Sequence, residues 1–470
     1  MRIKALFGLF LLSVVGAARA QTAQPTPNVV VEEKKLESVT VVVKEEPKPP
    51  AWEFGFHGFI GGMLYIQDSP TGLSGGGQAL YAVPSAAGQS TYVTDKPVFS
   101  GDVRQTRLNF SMKGPEVMGA IPKGVVEIDF FGAYQVGVGT PATVCTNATC
   151  TTTAAVAPAA YNGFGEQSVM PRLRFAYAEL AWENVTLWMG QQNHLMFATA
   201  PVSDGHIAFP LGYAGGNIGW RSPGFYAFFR FGSADVKSEF AVEIAEATWT
   251  FGGWNPGTAQ SGGAFNFDAA SASGLPMVEA RYKLTSKVVQ FWLCGHWNNL
   301  DLNGPNETVN SSSAASKATQ RTVLAGGAGL QFNLGPVTLY GTAWYGKNTG
   351  GLLGNLVQFN AVAPAGQPLA GQYTDLFGWG MTGQVGFNFT KDLSLWYLIG
   401  SSQLVNWVEA QEYGYARLRN VDNSAMLRYR VGGFSWSFEW VNFFTTNRLN
   451  VTETYAVRAN QYAINGMYYF

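Results

Sequence analysis

Charged side chains are scarce in this chain, so those that recur two residues apart hold most of the chemistry it could do. Arg172 and Arg174 form one such pair, Glu127 and Asp129 another. Side chains two apart share a face of an extended strand, so each pair presents two like charges on one side. If the two strands are adjacent and antiparallel, guanidinium and carboxylate groups meet. Arg107, Arg281, Lys283, Arg428 and Arg430 extend the basic set. Asp204 is the lone carboxylate of the long segment 193–217. A basic wall facing that carboxylate would set a transverse field, which orients dipolar solutes and biases the passage of ions. Paired with each other instead, the same charges would hold a wall rigid.

Residues for catalysis or metal binding are few. The histidines are His57, His194, His206 and His296. His194 and His206 lack ligand spacing, and Cys294 with His296 supplies two ligands where a structural zinc site needs four. No catalytic, metal or cofactor-binding residues are expected. Hydrolases built on barrels gather their triads from separate strands, so an outer-membrane barrel enzyme stands as an alternative reading. Cys145 and Cys150 enclose Thr-Asn-Ala-Thr, where a small disulfide is expected ahead of metal binding, leaving Cys294 free.

The elements that must position these groups alternate with period two. Leu108, Phe110 and Met112 oppose Arg107, Asn109, Ser111 and Lys113. Leu173, Phe175 and Tyr177 oppose Arg172 and Arg174. Phe434, Trp436, Phe438 and Trp440 oppose Ser435, Ser437 and Glu439. This pattern predicts strands near 52–67, 103–113, 124–134, 171–182, 185–192, 218–231, 237–250, 276–285, 287–297, 321–334, 336–347, 375–390, 392–405, 419–431, 433–446 and 456–470. Long connections near 68–102, 135–170, 193–217, 251–275, 298–320 and 348–374 alternate with short turns such as Gly335-Pro336 and Gly432-Gly433. That asymmetry belongs to transmembrane barrels, as does a final strand with Tyr462, Ile464, Tyr468 and Phe470 on one face. A soluble sandwich alternates too, but covers its apolar face with a second sheet.

The start of the chain agrees. Residues 1–20 read as a secretory signal peptide: Arg2 and Lys4 precede an apolar stretch that ends at the small-x-small site Ala18-Arg19-Ala20. Residues 21–50 are rich in Pro and Val and read as a periplasmic tail. Its segment 36–43 also looks like the box of an energised transporter of the TonB type, which is a second alternative reading. The barrel is expected over 51–470. Hydrophobic residues make up 47% of the chain, aromatic ones 14% and charged ones 13%. Soluble chains carry about 25% charged residues. A net charge of −1 argues against nucleic-acid binding. Sixteen strands spaced about 4.8 Å and tilted about 40° enclose a backbone cylinder roughly 30 Å wide. A hole that wide is a poor sieve, so something must narrow it. The segment 193–217, with Leu195, Met196, Phe197, Ile207, Phe209 and Leu211, is apolar enough to pack on an inner wall, or over the barrel rim.

Four stretches occur in sequence: Arg104-Gln-Thr-Arg-Leu-Asn-Phe, Gly124-Val-Val-Glu-Ile-Asp-Phe-Phe-Gly, Arg172-Leu-Arg-Phe-Ala-Tyr-Ala-Glu-Leu and Met189-Gly-Gln-Gln. Together they resemble the second to fifth strands of Gram-negative general porins, especially the DcaP-like porins. The resemblance implies a sixteen-stranded homotrimer whose third loop folds into the pore. The terminal Gly466-Met-Tyr468-Tyr-Phe470 resembles the signal read by the barrel-assembly machinery. The expectation is an all-β, antiparallel transmembrane barrel of the bacterial outer membrane, in contact with the lipid bilayer. It would pass small hydrophilic solutes and ions, with a modest preference for anionic or carboxylated ones.

Overall fold

In the computed structural model, residues 52–69, 71–72, 78–82, 97–132, 143–146, 149–152, 171–247, 273–301, 320–352, 356, 375–405, 417–448 and 454–470 are described. The expected signal peptide and Pro/Val-rich tail lie outside them. Sixteen strands form one antiparallel ring. They are β1 (Glu53–Gln67), β2 (two pieces, Val98–Asp102 and Arg107–Lys113), β3 (Ile121–Asp129), β4 (Arg172–Ala181), β5 (Val185–Asn193), β6 (Arg221–Gly232), β7 (Val236–Ala245) and β8 (Met277–Ser286). The second half comprises β9 (Val289–Asp301), β10 (Gln320–Leu334), β11 (Val337–Lys347), β12 (Phe377–Asn388), β13 (Leu393–Leu404), β14 (Arg417–Val431), β15 (Phe434–Arg448) and β16 (Thr454–Tyr469). Each strand pairs with its sequence neighbours, and β16 pairs with β1 to close the ring. The closing seam ends in reciprocal bonds: Gly58 N donates to Phe470 O at 3.1 Å and Phe470 N to Gly58 O at 3.2 Å. A closed ring leaves no strand edge without a partner.

The side-chain pattern is inverted relative to a soluble protein. On β15, Phe434 and Trp436 are 49% and 48% exposed, while Ser435 and Ser437 between them are 0% and 1%. On the last strand Tyr462 and Tyr468 face outward, and Gln461, Asn465 and Met467 are buried. A greasy exterior around a polar interior suits a strand cylinder in lipid. The tight turns follow local chemistry. Connections 335–336 and 432–433 need a left-handed backbone, and Gly335 and Gly432 provide it with φ of 63° and 55°.

Several strand boundaries differ from the sequence reading, and two of them have a local cause. Val98–Asp102, expected within the first long connection, is the first piece of β2 and pairs with residues 63–67 of β1. Its Phe99 stands in register with Ile66 and extends the outward apolar face. The strand breaks after Asp102 because that side chain accepts the Arg104 backbone N–H at 2.8 Å, a local bond that competes with the ladder. β3 ends at Asp129 for the same reason, since Asp129 accepts from Phe131 N at 3.1 Å. The third long connection accordingly spans 194–220, slightly later than expected.

Candidate functional site

Two groups of polar side chains stand on the buried face of the ring. The first is on β2, β3 and β4. The Asp129 carboxylate accepts from Arg172 Nε at 2.9 Å and Nη2 at 2.5 Å, and from Arg174 Nη1 at 2.9 Å. Glu127 accepts from Arg174 Nε at 2.8 Å and Asn109 Nδ2 at 3.2 Å, and Arg107 Nε lies 3.5 Å away. Register explains the sharing. Asp129 stands opposite Arg172, but the pairing shifts between Glu127 and Ile128, so Arg174 falls between two paired positions and reaches both carboxylates. Aromatic rings extend the cluster. Arg172 lies over Phe131, Phe209 and Trp220 at 5.5, 5.0 and 5.5 Å, Arg104 over Phe131 at 4.6 Å, and Arg221 over Trp220 at 4.0 Å. Among the described residues, five guanidinium groups thus gather around three carboxylates, the third being Asp102, which pairs with Arg104 at 2.7 Å.

The second group holds connection 194–220. Leu195 N donates to Glu243 at 2.9 Å on β7, and Met196 N to Glu279 at 2.7 Å on β8. Val202 N donates to Gln384 at 2.8 Å on β12. On β15, Glu439 accepts from Ser203 Oγ at 2.7 Å and Gly205 N at 2.8 Å. Thr382 of β12 donates to Gly215 O at 2.8 Å, and Asn420 of β14 to Ala214 O at 3.2 Å. A backbone without regular partners must satisfy its amides elsewhere, and these side chains do that. Apolar residues complete the docking. Met196 and Ile218 pack with Ala325 and Trp344, Leu195 with Tyr226 and Phe228, and Leu211 with Leu398 and Phe443. At Gly215 and Gly400 the two backbones approach so closely that a Cβ on Gly400 would collide with the Gly215 carbonyl.

The remaining residues singled out in the sequence are dispersed. Asp204 is buried and accepts from Ser435 Oγ at 3.1 Å, with Arg428 Nη1 at 3.6 Å. Its cationic neighbour is therefore on β14, while Arg172 and Arg174 meet the carboxylates of β3. Arg107 Nη2 donates to Ile207 O at 3.2 Å and so touches the connection. Arg281 pairs with Glu239 at 3.1 Å, and Lys283 stands opposite Glu239 in register. Arg430 is exposed, donates to Tyr469 Oη at 3.2 Å and lies over that ring.

His194 shares a bond of 2.8 Å with Ser222 Oγ, and His206 Nε2 stands 3.1 Å from Ala79 O. Burial pushes both imidazoles down to about 4. His296 lies between Glu279 and Asn298, and His57 is exposed on β1. Among the described residues no group of three or more His, Cys, Asp or Glu is arranged to hold a metal ion. Cys294 is free. Cys145 and Cys150 stand opposite each other in a short ladder of residues 143–146 and 149–152, and their side chains lie outside the described residues.

The sequence reading did not single out Glu243, Glu279, Thr382, Gln384 or Asn420. Glu439 it placed on the polar face without a role. A lone carboxylate among Ser and Ala on one strand face was the available sign, but nothing in a strand says which distant backbone it will meet.

No protein-family model matches the chain, and no curated protein matches it. Among solved structures, the chain is similar to the outer-membrane channel DcaP of Acinetobacter baumannii. The identity is 14% and the TM-score 0.59, over 89% of this chain and 97% of that one. OmpF of Salmonella typhi, solved with daunomycin, gives 11% identity and a TM-score of 0.48 over 89% and 97% of the two chains. The trimer form of OmpT, an outer-membrane protein of Vibrio cholerae, gives 10% and 0.48 over 89% and 100%. With its closed ring, polar buried face and likeness to DcaP along nearly its whole length, the chain has the porin-type fold of the Gram-negative outer membrane.

Proposed function

We propose that this barrel is an outer-membrane channel through which small hydrophilic solutes diffuse passively, with connection 194–220 as its constriction. The observation that carries the reading is the spread of that connection's partners. One stretch of chain bonds to the polar faces of β2, β7, β8, β11, β12, β14 and β15. A segment reaching walls that far apart around a closed ring crosses its interior. Passive diffusion needs no catalytic residue and no energised contact, and it fits a polar lumen. The TonB-type reading rests on residues 36–43, which lie outside the described residues.

The selectivity proposed is for anionic or carboxylated solutes. Among the described residues beside β2–β4, five guanidinium groups face three carboxylates, and arginine stays charged at any physiological pH. Its planar fork suits carboxylates. Charge near the narrowest point dominates over net charge, because salt screens beyond about 8 Å. Homotrimeric assembly, delivery by the barrel-assembly machinery through Tyr468 and Phe470, and a Cys145–Cys150 disulfide complete the proposal.

Purified protein in a planar bilayer is expected to give stepwise conductance. In a salt gradient, Arg172→Ala with Arg174→Ala is expected to move the reversal potential toward cation preference. Persistent silence of folded protein would end the channel reading. An unmoved reversal potential would place these arginines away from the constriction.

A further inference from the structure

The constriction just proposed has a neighbour from elsewhere in the chain. Residues 78–82, Gln-Ala-Leu-Tyr-Ala, belong to the first long connection, between β1 and β2. A stretch of loop is ordinarily solvated. Here all five residues are buried, none more than 6% exposed. They are held on two sides. Toward the third connection, the Gln78 amide works like a strand partner. Its Nε2 donates to Gly205 O, and its Oε1 accepts from Phe209 N at 3.2 Å. Leu80 and Tyr81 pack with Phe209, Tyr213 and Ala214. Toward the ring, Ala82 N donates to Thr445 Oγ1 at 2.9 Å on β15, and Asn420 Nδ2 of β14 donates to Leu80 O at 3.2 Å. Ala79 and Ala82 join Val441, Phe443, Val457 and Ala459 of β15 and β16.

We infer that residues 78–82 are a wedge between the third connection and the β14–β16 wall, closing the gap on that side so that solutes have a single passage. The inference rests on the channel reading and adds to it a second chain segment that determines pore size. A loop that crosses a cylinder divides the lumen, and both sides conduct unless one is filled. The wedge has the properties of a filler. It is uncharged, it is packed with apolar side chains on both faces, and its backbone groups are bonded to partners fixed on different elements. Asn420 ties the pieces together, since its Nδ2, which also bonds Asp422 Oδ1 at 2.5 Å, stands 3.2 Å from both Leu80 O and Ala214 O of the third connection. Gln78 determines the register of wedge against loop, because only an amide of that length donates and accepts at once toward two peptide groups.

The test is single-channel conductance of the full-length protein in which residues 78–82 are replaced by Gly-Ser-Gly-Ser-Gly, with folding checked by heat-modifiable gel mobility. Parallel aqueous paths add, so opening a gap of similar section is expected to raise conductance about twofold and to admit larger sugars in liposome swelling. If that replacement does not fold, Gln78→Ala is expected to raise the conductance by less, with more frequent sub-states as the third connection loosens. A folded variant whose conductance and size cut-off equal those of the unaltered protein overturns the wedge while leaving the channel reading intact. Silence of the unaltered protein overturns both.

Discussion

The charges on β3 and β4 and those on β7, β8 and β15 stand on the same buried face, yet they are satisfied in opposite ways. On β3 and β4, side chain meets side chain. Asp129 and Glu127 take guanidinium groups from the adjacent strand, in a register that the ladder itself fixes. On β7, β8 and β15, a carboxylate meets backbone. Glu243, Glu279 and Glu439 accept amide hydrogens of a connection more than thirty residues away in sequence. The first arrangement stiffens a wall and, among the described residues, gathers more guanidinium than carboxylate groups. The second clamps a loop, and there Glu279 also meets His296. A polar lumen wall therefore does two kinds of work, and a carboxylate's position does not reveal which until its partner is known.

The largest effect is expected where a paired charge is stranded. Asp129→Ala leaves Arg172 and Arg174 without their shared acceptor, and breaking a buried pair of this kind costs about 4 kcal/mol. Thermal unfolding in detergent is expected to show it, and a loss no larger than that of an exposed pair such as Lys113–Glu53 would erase the contrast between the walls. Glu439→Ala removes the acceptor for both Ser203 Oγ and Gly205 N. With both bonds lost and donors left buried, about 3 kcal/mol is expected. This variant is also expected to raise conductance noise, whereas Asp129→Ala is expected to change selectivity. If both variants alter the same property, the division of labour is wrong.

Acidification gives the smallest effect per side chain. His194 and His206 of the third connection are held neutral by burial, with values pushed from 6.5 to about 4. A released chain takes up these protons near pH 6.5 and the docked one near pH 4. The docked state thus keeps its full advantage above pH 6.5 and loses it as pH falls toward 4. At pH 5 each imidazole costs about 2 kcal/mol relative to neutral pH. Glu279, His296 and Arg221 act on His194, and the Ala79 carbonyl faces His206. His206→Gln, which keeps a donor toward Ala79, is expected to flatten the acid-side loss of stability in melts between pH 7.5 and 4.5. An unchanged slope would show that the loop remains docked on protonation.

Much of the ring was legible in the sequence because a strand in lipid writes a local, period-two pattern. Ser435, Ser437 and Glu439 against Phe434, Trp436 and Phe438 needed no knowledge of neighbours. The pairing of Glu127 and Asp129 with Arg172 and Arg174 was also within reach, as a consequence of adjacency. What escaped depends on meetings across space. The break in β2 comes from Asp102 capturing a nearby amide, which hydrophobic periodicity does not encode. Asp204 was expected to face a basic wall that included Arg428, without a sign of which member it would meet. Its neighbours are Arg428 and Ser435, because the path of the loop, and not its charge, determines which wall it meets. Residues 78–82 carry no charge, motif or periodicity, and their importance rests entirely on what they touch.

The reciprocal bonds between Gly58 and Phe470 have a consequence in time. The pairing that completes the ring joins β1 to β16, the two described strands farthest apart along the chain. Until β16 pairs, β1 presents an open edge, and no amount of correct pairing elsewhere removes it. Contacts so distant along the chain form late and slowly. Throughout that interval the growing sheet is a template for any other strand it meets. A chain of this design cannot be folded piecemeal from its amino end. It has to be kept apart from its copies until β16 can pair with β1.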